Sequence, residues 1–536
     1  MIFMRSILTG IALLGLLGFA ATARAAETPT YVIPANINDA GIDPARGKNH
    51  VWSPERPVGK LLVVMGGGGA LNLPEDWSEL GTEGARLGYH TIVLAYSNAV
   101  PIAAPAGCGP NVDPPASPEN CAFDARMEIF DGREESSVVA VSRANSIENR
   151  LTKVLQHLQA IDADGGWSQF LDTSGVETGP RWSEIVVSGQ SLGAGQAVLI
   201  GMLHLVHRVV AFAGFTDAKH GWVTSEGVTP TNRYFALIHQ RDDFFERACF
   251  AYLPLGLAAS CPLADFTLAE NQEPPFGTPL LVFNLDPDST PPSSVGDPEH
   301  TGTTRDGWIP KELDGTTPSQ KLVNAWRSVL GDSDADTWLD QVDNCPQVPN
   351  PALDEQLDTD RDGLGDVCDP TPQGTTPPVI APDPVTVDAT GPAGAIANYA
   401  VTAEDDIDGA VAVLCTPSTG SAFAIGQTTV ECAATDAAGN AGHASFVVIV
   451  LGAKEQIVNL IREVIDSTRL PAGVKAQLIA SLQALVAGFD PSEPAQRKVA
   501  CVKLKVFASL VRYLAPPAQA AAWAADANRI RAVLVC

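Results

Sequence analysis

The sequence predicts a multidomain chain, an α/β domain followed by three smaller modules, and three observations predict it. Strand-length apolar runs, each ending in a glycine-rich or polar loop, recur between residues 60 and 285, and one of them leads through Gly189-Gln190-Ser191-Leu192-Gly193 into a helix-like stretch. Composition then changes at residue 332, near residue 377 and near residue 454. A chain of 536 residues is also too long for one core, so several domains are expected.

The N-terminus carries one positive charge within Met1 to Arg5, an apolar stretch from Ile7 to Phe19 and a small-x-small site at Ala23-Arg24-Ala25. That pattern predicts a signal peptide over residues 1–25 and a secreted protein, extracellular or held at the cell surface. No second apolar stretch approaches the length of a membrane span, so no transmembrane segment is expected.

The α/β domain is expected over residues 26–331. A strand, Lys60 to Met65, runs into Gly66-Gly67-Gly68-Gly69-Ala70, where bare backbone N–H groups can approach a substrate oxygen. Gly67 and Gly68 are the candidate donors, with the N–H of Leu192 as their partner. No Lys-Ser/Thr follows the glycines and their spacing fits no dinucleotide fingerprint, which argues against nucleotide binding. The run Ile185 to Ser188 reads as strand, Ser191 as the tip of a strained turn, and Ala194 to Ile200 as helix. Small residues around Ser191 let the backbone fold back and leave the hydroxyl exposed at the helix N-terminus, so Ser191 is a candidate nucleophile.

Partners for such a serine follow it in the chain order serine, acid, histidine. The strand Arg233 to Ile238 ends at His239 and is followed by Asp242 and Asp243, either of which can be the acid. Asp217, after the strand Arg208 to Ala213, is the third candidate. His300 lies in the polar loop Gly296 to Gly302, between the strand-like run Leu280 to Leu285 and the helix-like stretch Ser319 to Leu330, and is the candidate general base. His204 and His207 are expected to be packing or helix-surface residues.

With strand, glycine loop, elbow, acid loop and histidine loop in this order, residues from about 30 to 330 resemble the α/β-hydrolase superfamily. The resemblance implies a mostly parallel sheet flanked by helices. It implies that Ser191 attacks a carbonyl, His300 relays the proton and Asp242 or Asp243 orients the imidazole. Cleavage of a carboxylic ester through an acyl-enzyme is the commonest outcome on this fold and needs no cofactor. Serine peptidases share the fold, as do non-catalytic members.

From Asp332 the chain places carboxylates at alternate positions: Asp332, Asp334 and Asp336, then Asp340 and Asp343, and later Asp358, Asp360 and Asp362 with Asp366. Such spacing wraps oxygen ligands around a hard cation, and Ca²⁺ suits a flexible oxygen cage. The blocks Asp343-Asn344-Cys345-Pro346, Asn350-Pro351 and Asp358 to Asp369 make residues 332–370 resemble a thrombospondin type 3 repeat, in which Ca²⁺ is structural. Thr337 departs from the glycine usual after the first triplet, and residues 354–357 depart from the usual spacing. Because the cluster lies downstream of Ser191 and His300, hydrolysis of a small soluble ester is expected to survive chelation.

A Pro-rich hinge, Pro370 to Pro378, leads to short alternating segments such as Val385 to Val387, Ala397 to Val401, Thr428 to Cys432 and Phe446 to Val450, the pattern of a β-sandwich. On Cys415-x-Pro417-x-x-Gly420, Phe423, Gly426, Thr429-Val430-x-Cys432 and Asp436-x-x-Gly439-Asn440, residues 377–452 resemble the hyalin repeat, an immunoglobulin-like module. The resemblance implies a spacing or binding role, with a carbohydrate or cell-surface ligand as candidate partner. Residues 454–536 carry apolar positions at helical spacing and predict a small bundle.

The ten cysteines fall into neighbouring pairs: Cys108 with Cys121, Cys249 with Cys261, Cys345 with Cys368, Cys415 with Cys432, and Cys501 with Cys536. An even count at local spacing in an exported chain predicts disulfides. A net charge of −28, from 62 acidic and 34 basic residues, argues against nucleic acid as a partner. A hydrolase carrying such appendages would act on an ester substrate that is surface-bound or polymeric, where tethering raises effective concentration. The competing readings are a secreted calcium-binding adhesion or matrix protein whose hydrolase-fold domain is non-catalytic, and a serine peptidase.

Overall fold

The computed structural model describes residues 27–69, 72–102, 108, 120–216, 221–224, 226–263, 266–288, 297–350 and 356–536. The expected signal peptide, Ala70 of the glycine loop and Asp217 lie outside the described residues. The chain forms two compact units, Met1–Asp358 with Gly363–Cys368, and Thr359–Asp362 with Asp369–Cys536.

The first unit is built on eight strands: β1 (Tyr31–Pro34), β2 (Lys48–Trp52), β3 (Leu61–Met65) and β4 (His90–Val93), then, past the small β5 (Leu171–Asp172) and β6 (Gly179–Pro180) pair, β7 (Ile185–Gln190), β8 (Arg208–Phe212), β9 (Tyr234–His239) and β10 (Leu280–Phe283). Their order in the sheet is β1-β2-β4-β3-β7-β8-β9-β10. Pairs from β4 through β10 are parallel, whereas β2 is antiparallel to both β1 and β4. The sheet is therefore mixed: mostly parallel, as expected, with an antiparallel edge at β1 and β2. The departure is confined to one edge: β1 and β2 are joined by residues 35–47, which hold one 3₁₀ turn, Pro44–Arg46, and no α-helix. Parallel neighbours need a longer crossover, generally helical.

Among the described residues this unit has seven α-helices: α1 (Ser78–Arg86), α2 (Cys121–Asp131), α3 (Ile147–Ile161), α4 (Leu192–Leu203), α5 (Phe245–Tyr252), α6 (Pro298–Thr301) and α7 (Gln320–Leu330). Apart from the half-buried Arg208 that opens β8, the central strands are buried, so their interiors read as apolar runs rather than as alternating ones. One core packs Met65, Val187, Ala197 and Leu155 on one side of the sheet; another packs Val64, Val186, Phe212 and Trp326 on the other. Leu339, from the Asp-rich segment, belongs to the second core. The unit thus continues past residue 331.

The second unit begins with a sandwich. Strands β11 (Val379–Pro382), β12 (Val385–Asp388), β13 (Ala395–Ile396), β14 (Val401–Asp405), β15 (Gly409–Val411), β16 (Val413–Thr416), β17 (Ala422–Phe423), β18 (Gly426–Thr435) and β19 (Ala441–Leu451) form sheets β11-β14-β15, β12-β19-β18-β16 and β13-β17. Of the expected run Ala397 to Val401, only Val401 lies in a strand; the Tyr399 N–H bonds the Thr419 hydroxyl at 2.9 Å instead of a ladder carbonyl. Helices α8 (Ala453–Asp466), α9 (Ala472–Val486), α10 (Pro494–Leu514) and α11 (Pro517–Val533) follow. Val448 and Val450 of β19 share one core with Ile457, Leu460, Leu504 and Ile530 of the helices. All five cysteine pairs form disulfides, with Cα–Cα distances of 4.1 to 5.8 Å.

Candidate active site and acidic loop

Ser191 follows β7 and immediately precedes α4, in a left-handed backbone conformation with φ 55° and ψ −110°. A non-glycine residue there is strained by roughly 1–3 kcal/mol, and such strain persists only where the surroundings enforce it. Here they do. A Cβ on Gly193 would stand 2.0 Å from the Met65 carbonyl oxygen, and one on Gly189 would stand 2.3 Å from the Gly193 carbonyl carbon. Strand and helix can therefore meet this closely only with glycine at both positions. The Ser191 N–H donates to the Phe212 carbonyl at 3.0 Å, which fixes the turn to β8.

Of the two neighbouring aspartates, Asp242 is buried and Asp243 exposed. Asp242 Oδ2 lies 2.8 Å from His300 Nδ1, while its Oδ1 accepts the Phe244 N–H at 2.7 Å. Asp243 turns away, its N–H donating to Asp297 Oδ2 at 3.1 Å. His300 sits in α6, capped by Asp297, and its ring meets that of Phe244 edge-on at 4.8 Å. Gln190, within the elbow itself, donates to the His300 carbonyl at 3.1 Å and so ties the histidine loop to the serine turn. Among the described residues no hydrogen bond joins the Ser191 hydroxyl to His300; such bonds are commonly long in ligand-free sites and tighten around substrate.

The glycine loop lies against the elbow. A Cβ on Gly67 would meet Gln190 Oε1 at 2.1 Å, and one on Gly68 would meet Leu192 Cβ at 3.3 Å. Leu192 opens α4, so its N–H has no carbonyl partner within the helix. A buried polar set that the sequence did not reveal holds this loop. Asn98 Nδ2 donates to the Gly67 carbonyl at 2.8 Å, and Arg46 donates to Asn98 and to the Gly69 and Asn72 carbonyls. Arg126, also unforeseen, donates to the Leu192 carbonyl at 3.0 Å and fills the space a side chain at Gly195 would need. Arg46, Asn98 and Arg126 stand far from the motif in sequence and carry no local signature. Gln190 did have one, as the residue between Gly189 and Ser191.

The acidic loop begins where α7 ends. Carboxylate oxygens of Asp332, Asp334 and Asp336 lie within 4.8 Å of one another, and all three residues are buried. Backbone N–H groups of Asp336 and Thr337 hold Asp332 at 3.1 and 2.9 Å. Burial pushes the Asp332 carboxyl up to about 8 and that of Asp334 up to about 7, with neighbouring carboxylates adding to both; burial likewise raises Asp343 to about 6. Asp334 Oδ2 and Asp343 Oδ2 are buried with no hydrogen-bond partner. Orphaned carboxylate oxygens converging on buried carboxylates fit a hard divalent cation, and Ca²⁺ in particular. Asp340 is directed elsewhere, its two oxygens accepting the N–H and hydroxyl of Ser333, each at 2.7 Å. In the second stretch, Asp358 and Asp366 belong to the first unit and Asp360 and Asp362 to the second. The Asp366 N–H bonds the Leu357 carbonyl at 2.8 Å, and the Cys345–Cys368 disulfide closes this stretch onto the first.

Residues 374–450 match the HYR domain, and residues 331–353 match the thrombospondin type 3 repeat. No curated protein and no solved structure matches the chain. These two modules, with the disulfides, point to an extracellular protein of the calcium-binding, adhesion type. No described helix is long and apolar enough to cross a membrane.

Proposed function

We propose that this extracellular calcium-binding protein carries, in its first unit, a serine hydrolase of carboxylic esters with the α/β-hydrolase architecture. The observation that carries the reading is the buried Asp242–His300 pair, 2.8 Å apart, on the loops that follow the sheet strands next to the strained elbow of Ser191. In this reading Asp242 holds His300 Nδ1 protonated, so that Nε2 is the lone-pair nitrogen able to take the Ser191 proton. Serine Oγ then bonds the ester carbonyl carbon while the carbonyl electrons move onto oxygen, toward the N–H groups of Leu192 and the Gly67-Gly68 loop. His300 returns its proton to the departing alkoxide, leaving an acyl-serine. Water, deprotonated by His300, attacks the acyl carbon, and His300 then returns that proton to Ser191 Oγ as the carboxylic acid leaves. The appended modules support a substrate presented on a surface or polymer.

A second reading has its own support. The matched modules belong to adhesion-type proteins, and they favour a protein whose first unit binds without turning over a substrate. Reaction with a fluorophosphonate, followed by turnover of a panel of p-nitrophenyl esters and peptide amides, separates the readings. Labelling with ester turnover supports the hydrolase, amide turnover a peptidase, and neither the adhesion protein.

A further inference from the structure

At the opposite ends of strands β8 and β9 from Ser191 and Asp242 lies a cleft of two adjoining cavities, about 340 and 510 Å³, that share Arg208, Asn232, Phe235 and Asp340. Arg208 opens β8 and Arg233 precedes β9, so both belong to the bottom of the sheet while the elbow and acid loop belong to its top. The cleft is therefore separate from the candidate catalytic residues.

Its charge is unusual for a chain with nearly twice as many acidic as basic residues. Arg208 stands over the Phe235 ring at 3.9 Å and gives one N–H to the Val329 carbonyl at 3.1 Å. Arg233 gives one N–H to the Val206 carbonyl at 3.0 Å. Among the described residues neither guanidinium has a carboxylate within ion-pair distance. A guanidinium has five N–H donors in a planar fork, so most of this donor capacity is left for another partner. Beside them His207 stays neutral, pushed down to about 4 by burial and by Lys60, Arg208 and Arg233. Asp340, which lines both cavities, accepts from Ser333 through each oxygen and keeps its charge near Arg208, so Arg233 carries the cleft's uncompensated positive charge.

The remaining polar lining includes the planar amides of Asn232, Gln341 and Gln347 beside hydroxyls such as those of Thr231, Thr278 and Ser328. Amides that both donate and accept suit vicinal hydroxyls, and a guanidinium fork suits a carboxylate or sulfate. We propose that this cleft binds an acidic saccharide, a sugar unit bearing a carboxylate or sulfate group. The site is independent of the hydrolase reading and requires no turnover.

Calorimetric titration of the full chain in Ca²⁺ tests it, with trigalacturonate, its carboxyl-reduced neutral form and a sulfated galactose trimer as probes. Saturable one-site binding of an acidic trimer is expected, with the neutral trimer at least about ten-fold weaker; the stronger of the two acidic probes identifies the group. Arg208→Lys keeps the charge but loses the fork, and should weaken binding at least about ten-fold. Should that variant melt below the wild type, Asn232→Ala, at an exposed position, carries the test and should weaken binding several-fold. No saturable binding of either acidic trimer, equal binding of the neutral one, or wild-type affinity in the folded variant overturns the proposal.

Discussion

Replacing Arg327 with methionine should destabilise the first unit by an amount that depends on the acidic loop. Arg327 Nε lies 2.5 Å from Glu83 Oε1, and each side chain is 2% exposed. Its Nη1 donates to the Ala335 carbonyl at 3.1 Å, so one guanidinium joins α7, α1 and the turn that positions Asp334 and Asp336. Removing one partner of a buried ion pair costs about 3–5 kcal/mol, because the other charge stays buried. Arg86, 3.3 Å from the other Glu83 oxygen, keeps part of the compensation and places the expected loss near the lower end. At an unfolding entropy of ~2.1 cal/mol/K per residue, a unit of about 360 residues shifts by ~1.3 °C per kcal/mol, so a loss of ~3 kcal/mol lowers the melting midpoint by ~4 °C. Scanning calorimetry of wild type, Arg327→Met and the Glu83→Gln/Arg327→Met double variant, each in Ca²⁺ and in EGTA, reads this. The double variant should recover much of the loss, since a buried amide costs less than a buried carboxylate. EGTA should lower the wild-type midpoint and shrink the effect of Arg327→Met, because the loop that Arg327 holds is then already loosened. An unchanged midpoint in Arg327→Met, or strictly additive effects of mutation and chelator, would refute this coupling.

Two further outcomes follow from the same geometry. Asp242→Asn should lower ester turnover by about 10⁴-fold, since an amide at that position favours the wrong imidazole tautomer, whereas Asp243→Asn should leave it within a few-fold. Equal effects in the two kinetic assays would remove Asp242 from the triad. In EGTA, stability should fall as pH rises from about 4 to about 8. The folded carboxyls of Asp332, Asp334 and Asp343 are raised to about 8, 7 and 6, so within that window the folded chain binds more protons than the unfolded one. Their contribution is thus lost on the alkaline side, and saturating Ca²⁺ should abolish the dependence. Melting midpoints at pH 5 and pH 8, with and without chelator, check the sign.

The elbow was legible because its demands are local. Gly189 and Gly193 are required by backbone approach within a few residues, and the strand and helix around Ser191 each have their own apolar signature. The choice between Asp242 and Asp243 was not legible, since it depends on which carboxylate the loop turns toward His300, 58 residues away. The antiparallel placement of β2 was equally hidden, for it depends on sheet order rather than on the composition of Lys48–Trp52. The acidic loop was legible as a thrombospondin type 3 pattern, matched over residues 331–353, but its attachment was not. Leu339 in the sheet core, Arg327 bonding Ala335, and the Arg56 guanidinium 4.2 Å from the Trp338 ring are contacts between residues with no sequence periodicity in common. Those contacts tie the acidic loop to the first unit, so loss of Ca²⁺ is expected to loosen that unit as well.

The central claim, that Ser191 is a working nucleophile, is tested most directly by fluorophosphonate labelling of the full chain in Ca²⁺, with the labelled peptide identified by mass spectrometry. The account predicts stoichiometric modification of Ser191 in the wild type, and neither modification nor ester turnover in a Ser191→Ala variant with an unchanged melting midpoint. A wild type that stays unlabelled, or a folded Ser191→Ala variant that still hydrolyses esters at the wild-type rate, would contradict it.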